Sequence, residues 1–161
     1  LVDRIIVLAK KNNVYLSADS QSSSQTGDVS RFQQMDILTP TEREARIAVN
    51  NREDGIVILT EKLRDKSGCK NLILKLGEEG ILIHSPNNES WLTDRISSLN
   101  NSPRDVSGAG DSLLISASLS FSCGGSIWES SLLGSLAAAI QISRVGNSPL
   151  QFEELNAQIQ F

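Results

Sequence analysis

Short apolar runs alternate with longer amphipathic segments along this chain, which is the pattern of an α/β protein. Five runs predict β-strands, and they lie at 14–19, 35–40, 71–77, 80–85 and 91–98. Apolar residues spaced three or four positions apart predict six helices, at 2–11, 41–50, 53–67, 109–122, 127–143 and 152–160. No internal repeat or domain boundary interrupts the series, so we expect one domain built on an open, mostly parallel sheet.

Residues that start and end elements support this assignment. Thr41 and Glu44 have the spacing of a capping box at the start of the second helix, and Gly68 is placed to end the third. The sequence GEEG at 77–80 predicts a hairpin-like turn between two strands. The serine-rich residues 20–30 show no apolar pattern and predict a loop.

The composition favours a cytoplasmic globular protein. The 161 residues are enough for one domain with a hydrophobic core. Lys and Arg number 15 against 19 Asp and Glu, a net charge of −4, which argues against nucleic acid or an anionic membrane as partner. No apolar run reaches about 18 residues, and the N-terminus lacks the pattern of a signal peptide. Cys69 and Cys123 have no metal-binding spacing and suit a reducing cytosol, and the sequence leaves a disulfide between them open.

The first residue is Leu1 rather than methionine, and the residues after it already follow the pattern of a helix interior. We therefore expect these 161 residues to be part of a larger protein.

The segment RDVSGAGDSLL, residues 104–114, carries the strongest chemical signal. Gly108, Ala109 and Gly110 precede an apolar helix, where backbone N–H groups and the helix dipole favour an anion. Asp111 places a carboxylate at the mouth of a helix that the pattern predicts to be buried, where a charge is costly. Two interpretations are open: Asp111 interacts with the helix dipole, or it is a general base beside an anion site.

Other motifs in this segment lack residues that they need. Residues 110–113 read GDSL, which also marks a class of serine esterases, but that chemistry requires a histidine base. The one histidine, His84, lies in an apolar strand pattern, where we expect a structural role. Leu113 stands where a Rossmann fingerprint has its third glycine, and the sequence contains no P-loop.

Four segments occur in an order that is typical of one enzyme family: TPTEREA, LKLGEEGILI, DVSGAGDSLL and LGSLAAAIQISRVG. Together they closely resemble the C-terminal half of the PfkB (ribokinase-like) family of carbohydrate kinases, over nearly the whole chain. The resemblance implies a ribokinase-like three-layer sandwich, of which residues 1–161 form a single partial domain, the nucleotide-binding half. The N-terminal half, with the substrate site and the lid, would belong to the same chain.

The resemblance also implies an ATP-dependent phosphotransferase. Residues 108–110 would form an anion hole for the transferring phosphoryl group, and Asp111 would deprotonate a sugar hydroxyl. Glu44 matches the end of the family's N-x-x-E motif, which places magnesium and phosphate, and Thr41 stands in place of the asparagine.

Further matches concern the nucleotide. Lys75, Gly77 and Gly80 match the family's T-L-G-x-x-G nucleotide segment, with Lys75 where threonine is commoner. Ala138 and Gly146 lie in a segment that resembles the lining of the adenine pocket.

In several family members the same region holds a monovalent cation such as K⁺. By that resemblance, Asp105, Ser107 and the backbone of residues 144–148 are candidate ligands here.

A narrower resemblance links the segments ADSQ, GDVSRF and RVGNSPL to the heptose-phosphate kinases of the ADP-heptose pathway. The implied substrate is a sugar or sugar phosphate, with a heptose phosphate as the specific candidate. We expect residues 1–161 alone to lack sugar kinase activity and to self-associate, and a homodimer is left open. The alternative function is a non-catalytic nucleotide-binding remnant or regulatory module of the same fold.

Overall fold

Five strands form one sheet whose spatial order follows the chain: β1 (Ser17–Ala18), β2 (Ile37–Leu38), β3 (Asn71–Lys75), β4 (Ile81–Asn87) and β5 (Ser90–Ile96). The structure is a computed structural model, and it describes residues 1–20, 27–88 and 90–159. The first three strands are parallel, with Ser17 opposite Ile37 and Ile37 opposite Asn71. The links into β4 and β5 are too short for parallel neighbours, because a parallel crossover needs about a dozen residues. The sheet is therefore mixed: the parallel prediction holds for β1 to β3, the predicted turn at 77–80 joins β3 to β4, and the strand predicted at 91–98 is β5.

All six predicted helices are present: α1 (Val2–Lys11), α2 (Glu42–Val49), α3 (Ile56–Ser67), α4 (Ala109–Ser122), α5 (Ile127–Ile142) and α6 (Phe152–Ile159). The capping box at α2 is formed, and Gly68 ends α3 in the left-handed conformation, as predicted. Of the predicted loop, residues 21–26 lie outside the described part, and Val29–Arg31 form a 3-10 turn. None of the described helices is both long and apolar enough to cross a membrane.

The chain folds into two compact units: Leu1–Leu76 with Leu82–Arg95, and Gly77–Ile81 with Ile96–Phe161. In the first unit, α3 and the sheet enclose one hydrophobic core. Leu59 and Leu63 of α3 are fully buried in it, together with Leu72 and Leu74 of β3. This core holds the backbone of β2 and β3 rigidly at the point where both strands end.

The apolar stripe predicted for α1 is only partly buried. Ile6 and Ala9 are buried, whereas Ile5 and Leu8 are about half exposed. The helix therefore packs through a narrower face than its sequence pattern predicts.

In the second unit, α4 and α5 pack closely because Gly134 of α5 has no side chain. A Cβ atom at this position would lie 2.8 Å from the carbonyl oxygen of Leu113 and 3.2 Å from Cβ of Ala117. The close approach buries Leu113, Ala117 and Ala137 between the helices. The start of α4 is thereby fixed against α5.

Candidate functional site

The turn into α4 is set by Gly108, which caps the helix with φ = 77°, in the left-handed region. A Cβ atom on Gly108 would also lie 2.2 Å from Oδ1 of Asn147, the end of a side chain in the turn after α5 that would have to move aside. The left-handed φ is therefore the stronger reason for a glycine at this position.

The N–H groups at the start of α4 form the candidate anion hole. Ser112 is the first residue whose N–H donates within the helix, to the carbonyl oxygen of Gly108 at 2.9 Å. The N–H of Ala109 donates to Val106 at 3.3 Å, a long hydrogen bond. Gly110 and Asp111 are the next two residues, and helix geometry gives their N–H groups no intrahelical acceptor. With the helix dipole, this turn can bind an anion.

The structure corrects the expected burial around Asp111, whose side chain is exposed. Helix α4 is buried through Leu113 and Ala117 but exposes Ile115 and Leu119, so its first turn lies at the surface. The carboxylate therefore carries little desolvation cost, and a substrate hydroxyl can reach it.

Asp105 ties the loop before α4 to the turn after α5. Its carboxylate accepts the N–H of Ser107 at 2.9 Å and the N–H of Gly146 at 3.0 Å. The hydrogen bonds from Ser107, and then the one from Gly146, hold the pKa of Asp105 below its usual value.

A buried glutamine, Gln141 of α5, contacts the same two loops, and the sequence pattern did not mark it as a candidate. Its Nε2 donates to the carbonyl oxygens of Ser107 at 3.1 Å and Gly146 at 3.2 Å. The only signal in the sequence is a polar residue inside the apolar run LAAAIQI. Gly146 thus belongs to this hydrogen-bonded network, whereas Ala138 is a half-buried residue of α5.

The predicted nucleotide turn has two glycines with different structural reasons. Gly77–Glu79 form a 3-10 turn, closed by the N–H of Gly80 donating to Gly77 at 3.1 Å. A Cβ atom on Gly80 would lie 2.1 Å from the carbonyl oxygen of Ile96, whereas one on Gly77 would meet nothing within 4 Å. Gly80 is therefore required by the fold itself, and Gly77 borders open space.

In the first unit, polar groups gather where the parallel strands end, the edge at which open α/β sheets bind ligands. The ammonium group of Lys75, the last residue of β3, pairs with the carboxylate of Asp19, which follows β1. Their side chains are 16% and 18% exposed. Burial raises the pKa of Asp19, the Lys75 charge opposes that rise, and the charge of Glu44 adds to it. Asp19 is a second residue that the sequence pattern did not mark.

Glu44 is 2% exposed and closes the capping box of α2. Its Oε2 accepts the backbone N–H of Thr41 at 2.7 Å and the Thr41 hydroxyl at 2.8 Å. Both hydrogen bonds from Thr41 therefore hold the Glu44 carboxylate in place. Asp19 and Glu44 offer carboxylate oxygens, the ligands that Mg²⁺ prefers. No group of three or more Asp, Glu, His or Cys side chains suited to a metal occurs among the described residues, so the donor chemistry of this edge fits a magnesium ion that keeps several waters as ligands.

His84 has a structural role, as predicted from its position in a strand. The ring is buried, contacts Oγ1 of Thr93 through Nδ1 at 2.8 Å, and stacks on Trp91 with the ring centres 4.9 Å apart. The guanidinium of Arg64 covers Trp91 at 3.9 Å. These contacts engage the ring and do not favour an esterase base.

Known proteins resemble this chain in sequence and in structure. The family described as pfkB family carbohydrate kinase matches residues 1–152. Among curated proteins, the bifunctional protein HldE of Desulfatibacillum aliphaticivorans is 29% identical over 136 residues, covering 83% of this chain and 27% of that protein.

Two solved structures give the fold. A ribokinase from Thermotoga maritima has a TM-score of 0.79 at 26% identity, covering 98% of this chain and 52% of its own. The ribokinase of Arabidopsis thaliana, complexed with ribose and ATP, has a TM-score of 0.81 at 18% identity. The match covers 99% of this chain and 52% of the ribokinase. The predicted ribokinase-like fold is therefore confirmed. The chain spans about half of these ribokinases and about a quarter of the HldE relative.

Proposed function

Because the chain belongs to the pfkB family of carbohydrate kinases, we propose that the protein of which it is part transfers the γ-phosphoryl group of ATP to a hydroxyl of a sugar or sugar phosphate. The observation that carries the proposal is the first turn of α4. The N–H groups of Gly110 and Asp111, which helix geometry leaves without an intrahelical acceptor, occur there in the same turn as the exposed carboxylate of Asp111.

The reaction follows from these groups. Asp111 accepts the proton of the substrate hydroxyl, and the oxygen attacks the γ-phosphorus of ATP. The bond from that phosphorus to the β-phosphate oxygen breaks, which leaves a phosphorylated sugar and ADP. The N–H groups of Gly110 and Asp111, at the positive end of the helix dipole, stabilise the negative charge on the phosphoryl oxygens.

Asp19 and Glu44 are the residues that would hold magnesium, directly or through water. The ion, when bound, neutralises charge on the nucleotide phosphates. Lys75 holds the Asp19 carboxylate in place, and its ammonium group provides a second positive charge at this edge. For the nucleotide base we propose the segment of α5 around Ala138 and the turn at Gly146.

A heptose phosphate is the proposed substrate. It is supported by the resemblance of ADSQ, GDVSRF and RVGNSPL to heptose-phosphate kinases, and by the similarity to HldE. We place the reaction in the cytoplasm, where Cys69 and Cys123, both free thiols, would stay reduced.

The test uses the full chain of the protein. Isothermal titration with ATP and magnesium measures nucleotide binding, and a panel of sugars and sugar phosphates, heptose phosphates included, is assayed for ADP release. The proposal predicts both binding and turnover of at least one panel member. Binding without turnover of any sugar would support the nucleotide-binding remnant instead, and absence of nucleotide binding would exclude both functions.

A further inference from the structure

The side chain of Gln141 joins two loops of the second unit that are distant in sequence. It is 1% exposed, and its Nε2 donates to the carbonyl oxygen of Ser107, in the loop before α4, and to that of Gly146, in the turn after α5. An amide nitrogen has two hydrogens, and these two carbonyl groups are its nearer acceptors; Oδ1 of Asn147 lies farther away, at 3.5 Å.

The orientation of this amide is fixed by the guanidinium group of Arg144. Nη2 of Arg144 donates to Oε1 of Gln141 at 2.8 Å, and because a guanidinium only donates, the amide oxygen must face it. Arg144 is itself held by Glu154 of α6, with Nη1 at 2.9 Å from Oε1. The nitrogen of Gln141 therefore points at the two carbonyl groups and cannot be exchanged with the oxygen.

The same two loops contain the residues that the family resemblance assigns to a monovalent cation. Such an ion would need oxygen ligands from Asp105 and from backbone carbonyl groups such as those of Ser107 and Gly146. Here the Asp105 carboxylate accepts the N–H groups of Ser107 and Gly146, and both carbonyl oxygens accept Nε2 of Gln141. The amide hydrogens, which carry partial positive charge, face the oxygens that a cation would require. The donor set therefore does not fit a bound K⁺.

We infer that the Gln141 amide takes the place of a monovalent cation and holds the loop before Asp111 in its working position. Gln141 is a positioning residue, and the inference rests on the proposed function only in assigning catalysis to that loop. Its direct consequence is that stability and nucleotide binding do not depend on K⁺.

The experiment compares the full chain in potassium, sodium and choline chloride at equal ionic strength. Melting temperature and the Kd for ADP are measured while K⁺ replaces choline. The wild type should give the same values throughout. Gln141→Ala leaves two carbonyl oxygens without a donor, so in choline its melting temperature should fall by about 2–4 °C or more. Added K⁺ should then restore it in a saturable manner.

Gln141→Met is the matched control. The methionine side chain has no N–H group, so the melting temperature of this variant should fall in every salt. Because its volume is similar to that of glutamine, it leaves no space for K⁺, and added K⁺ should not restore the melting temperature. A saturable rise of melting temperature or ADP affinity with K⁺ in the wild type would overturn the inference, whether or not the variants fold. If the wild type is indifferent to K⁺ but phosphorylates no sugar, the proposed function fails while the inference stands.

Discussion

Lys75 and Asp19, which are 56 residues apart in the chain, form an ion pair at the carboxyl ends of β3 and β1. The parallel register of β1, β2 and β3 brings them together, since these strands end at one edge of the sheet. Burial raises the pKa of Asp19 even with the ammonium group beside it. The positive charge of Lys75 therefore stabilises the ionised form of the Asp19 carboxyl group.

Replacing Lys75 tests this dependence. Lys75→Met leaves the Asp19 charge without its partner, so we expect a loss of about 3 kcal/mol in the free energy of unfolding at neutral pH. A raised carboxyl pKa means that the folded state holds the proton more tightly, so the loss should shrink as pH falls. Adding Asp19→Asn should recover part of the stability. Chemical denaturation across pH measures both effects.

The control is a second ion-paired lysine, at the other end of β3. Lys70, just before β3, pairs with Asp36 at 2.7 Å, but its side chain is 68% exposed. Lys70→Met should cost no more than about 1 kcal/mol. Equal losses of unfolding free energy for the two lysine variants would contradict the conclusion that the buried Asp19 charge needs Lys75.

Asp111→Asn separates the two interpretations of the α4 carboxylate. The amide preserves shape but accepts no proton, so kcat of the full chain should fall by about 10²–10⁴-fold. Nucleotide affinity should change little, because the backbone N–H groups remain. A normal kcat with a stability loss of about 0.3–1 kcal/mol would instead identify Asp111 as a helix-dipole residue.

The two capping boxes provide a matched pair for Glu44. In α2 the pair is Thr41 with Glu44, and in α5 it is Ser126 with Glu129, with the same hydrogen bonds. Both Glu44→Gln and Glu129→Gln should weaken a helix start by about 1 kcal/mol or less. Only Glu44→Gln should raise the magnesium concentration needed for half-maximal activity. Identical magnesium curves for the two variants would remove Glu44 from the metal site.

The glycines of the 77–80 turn should respond very differently to alanine. Both have positive φ, 63° at Gly77 and 93° at Gly80, so each substitution costs about 1–2 kcal/mol of backbone strain. At Gly80 the new Cβ also meets the backbone of Ile96 at 2.1 Å, which adds roughly 1–3 kcal/mol. Thermal denaturation should therefore rank Gly80→Ala clearly below Gly77→Ala, and the reverse order would contradict the turn geometry.

His84 should make the stability of the first unit depend on pH. Burial, and after it the Arg64 charge, lowers the pKa of His84. The unfolded state then binds the proton first, so stability is complete above about pH 6.5 and is lost as pH falls from there through the folded pKa. Melting temperatures between about pH 7.5 and 5.5 should drop for the wild type. His84→Phe, which can still stack on Trp91, should remove this drop.

The sequence predicts the elements of this fold better than their contacts. Helix patterns and the capping box at Thr41 are local, so windows of a few residues contain their cause. The runs predicted at 14–19 and 35–40 form shorter strands, Ser17–Ala18 and Ile37–Leu38. The length of a strand is set by the residues that pair with a neighbouring strand, and apolar residues beyond the paired ones do not extend it.

The candidate site follows the same division. The glycines before Asp111 are recognisable because one short motif contains the whole turn. Asp19 and Gln141 are not, since each acts through a partner that only the tertiary structure brings near: Lys75 for the first and Ser107 for the second. The exposure of Asp111 likewise depends on which face of α4 packs against α5.

The spatial order of the sheet, β1 to β5 in chain order, has a consequence for biosynthesis. Each strand leaving the ribosome finds its neighbour already made, and no later strand must insert between two earlier ones. Because each new strand is added at the same edge of the sheet, only the most recently added strand has unpaired backbone groups on that side. The β4–β5 hairpin, which pairs locally, then forms quickly and makes β5 the edge strand on that side.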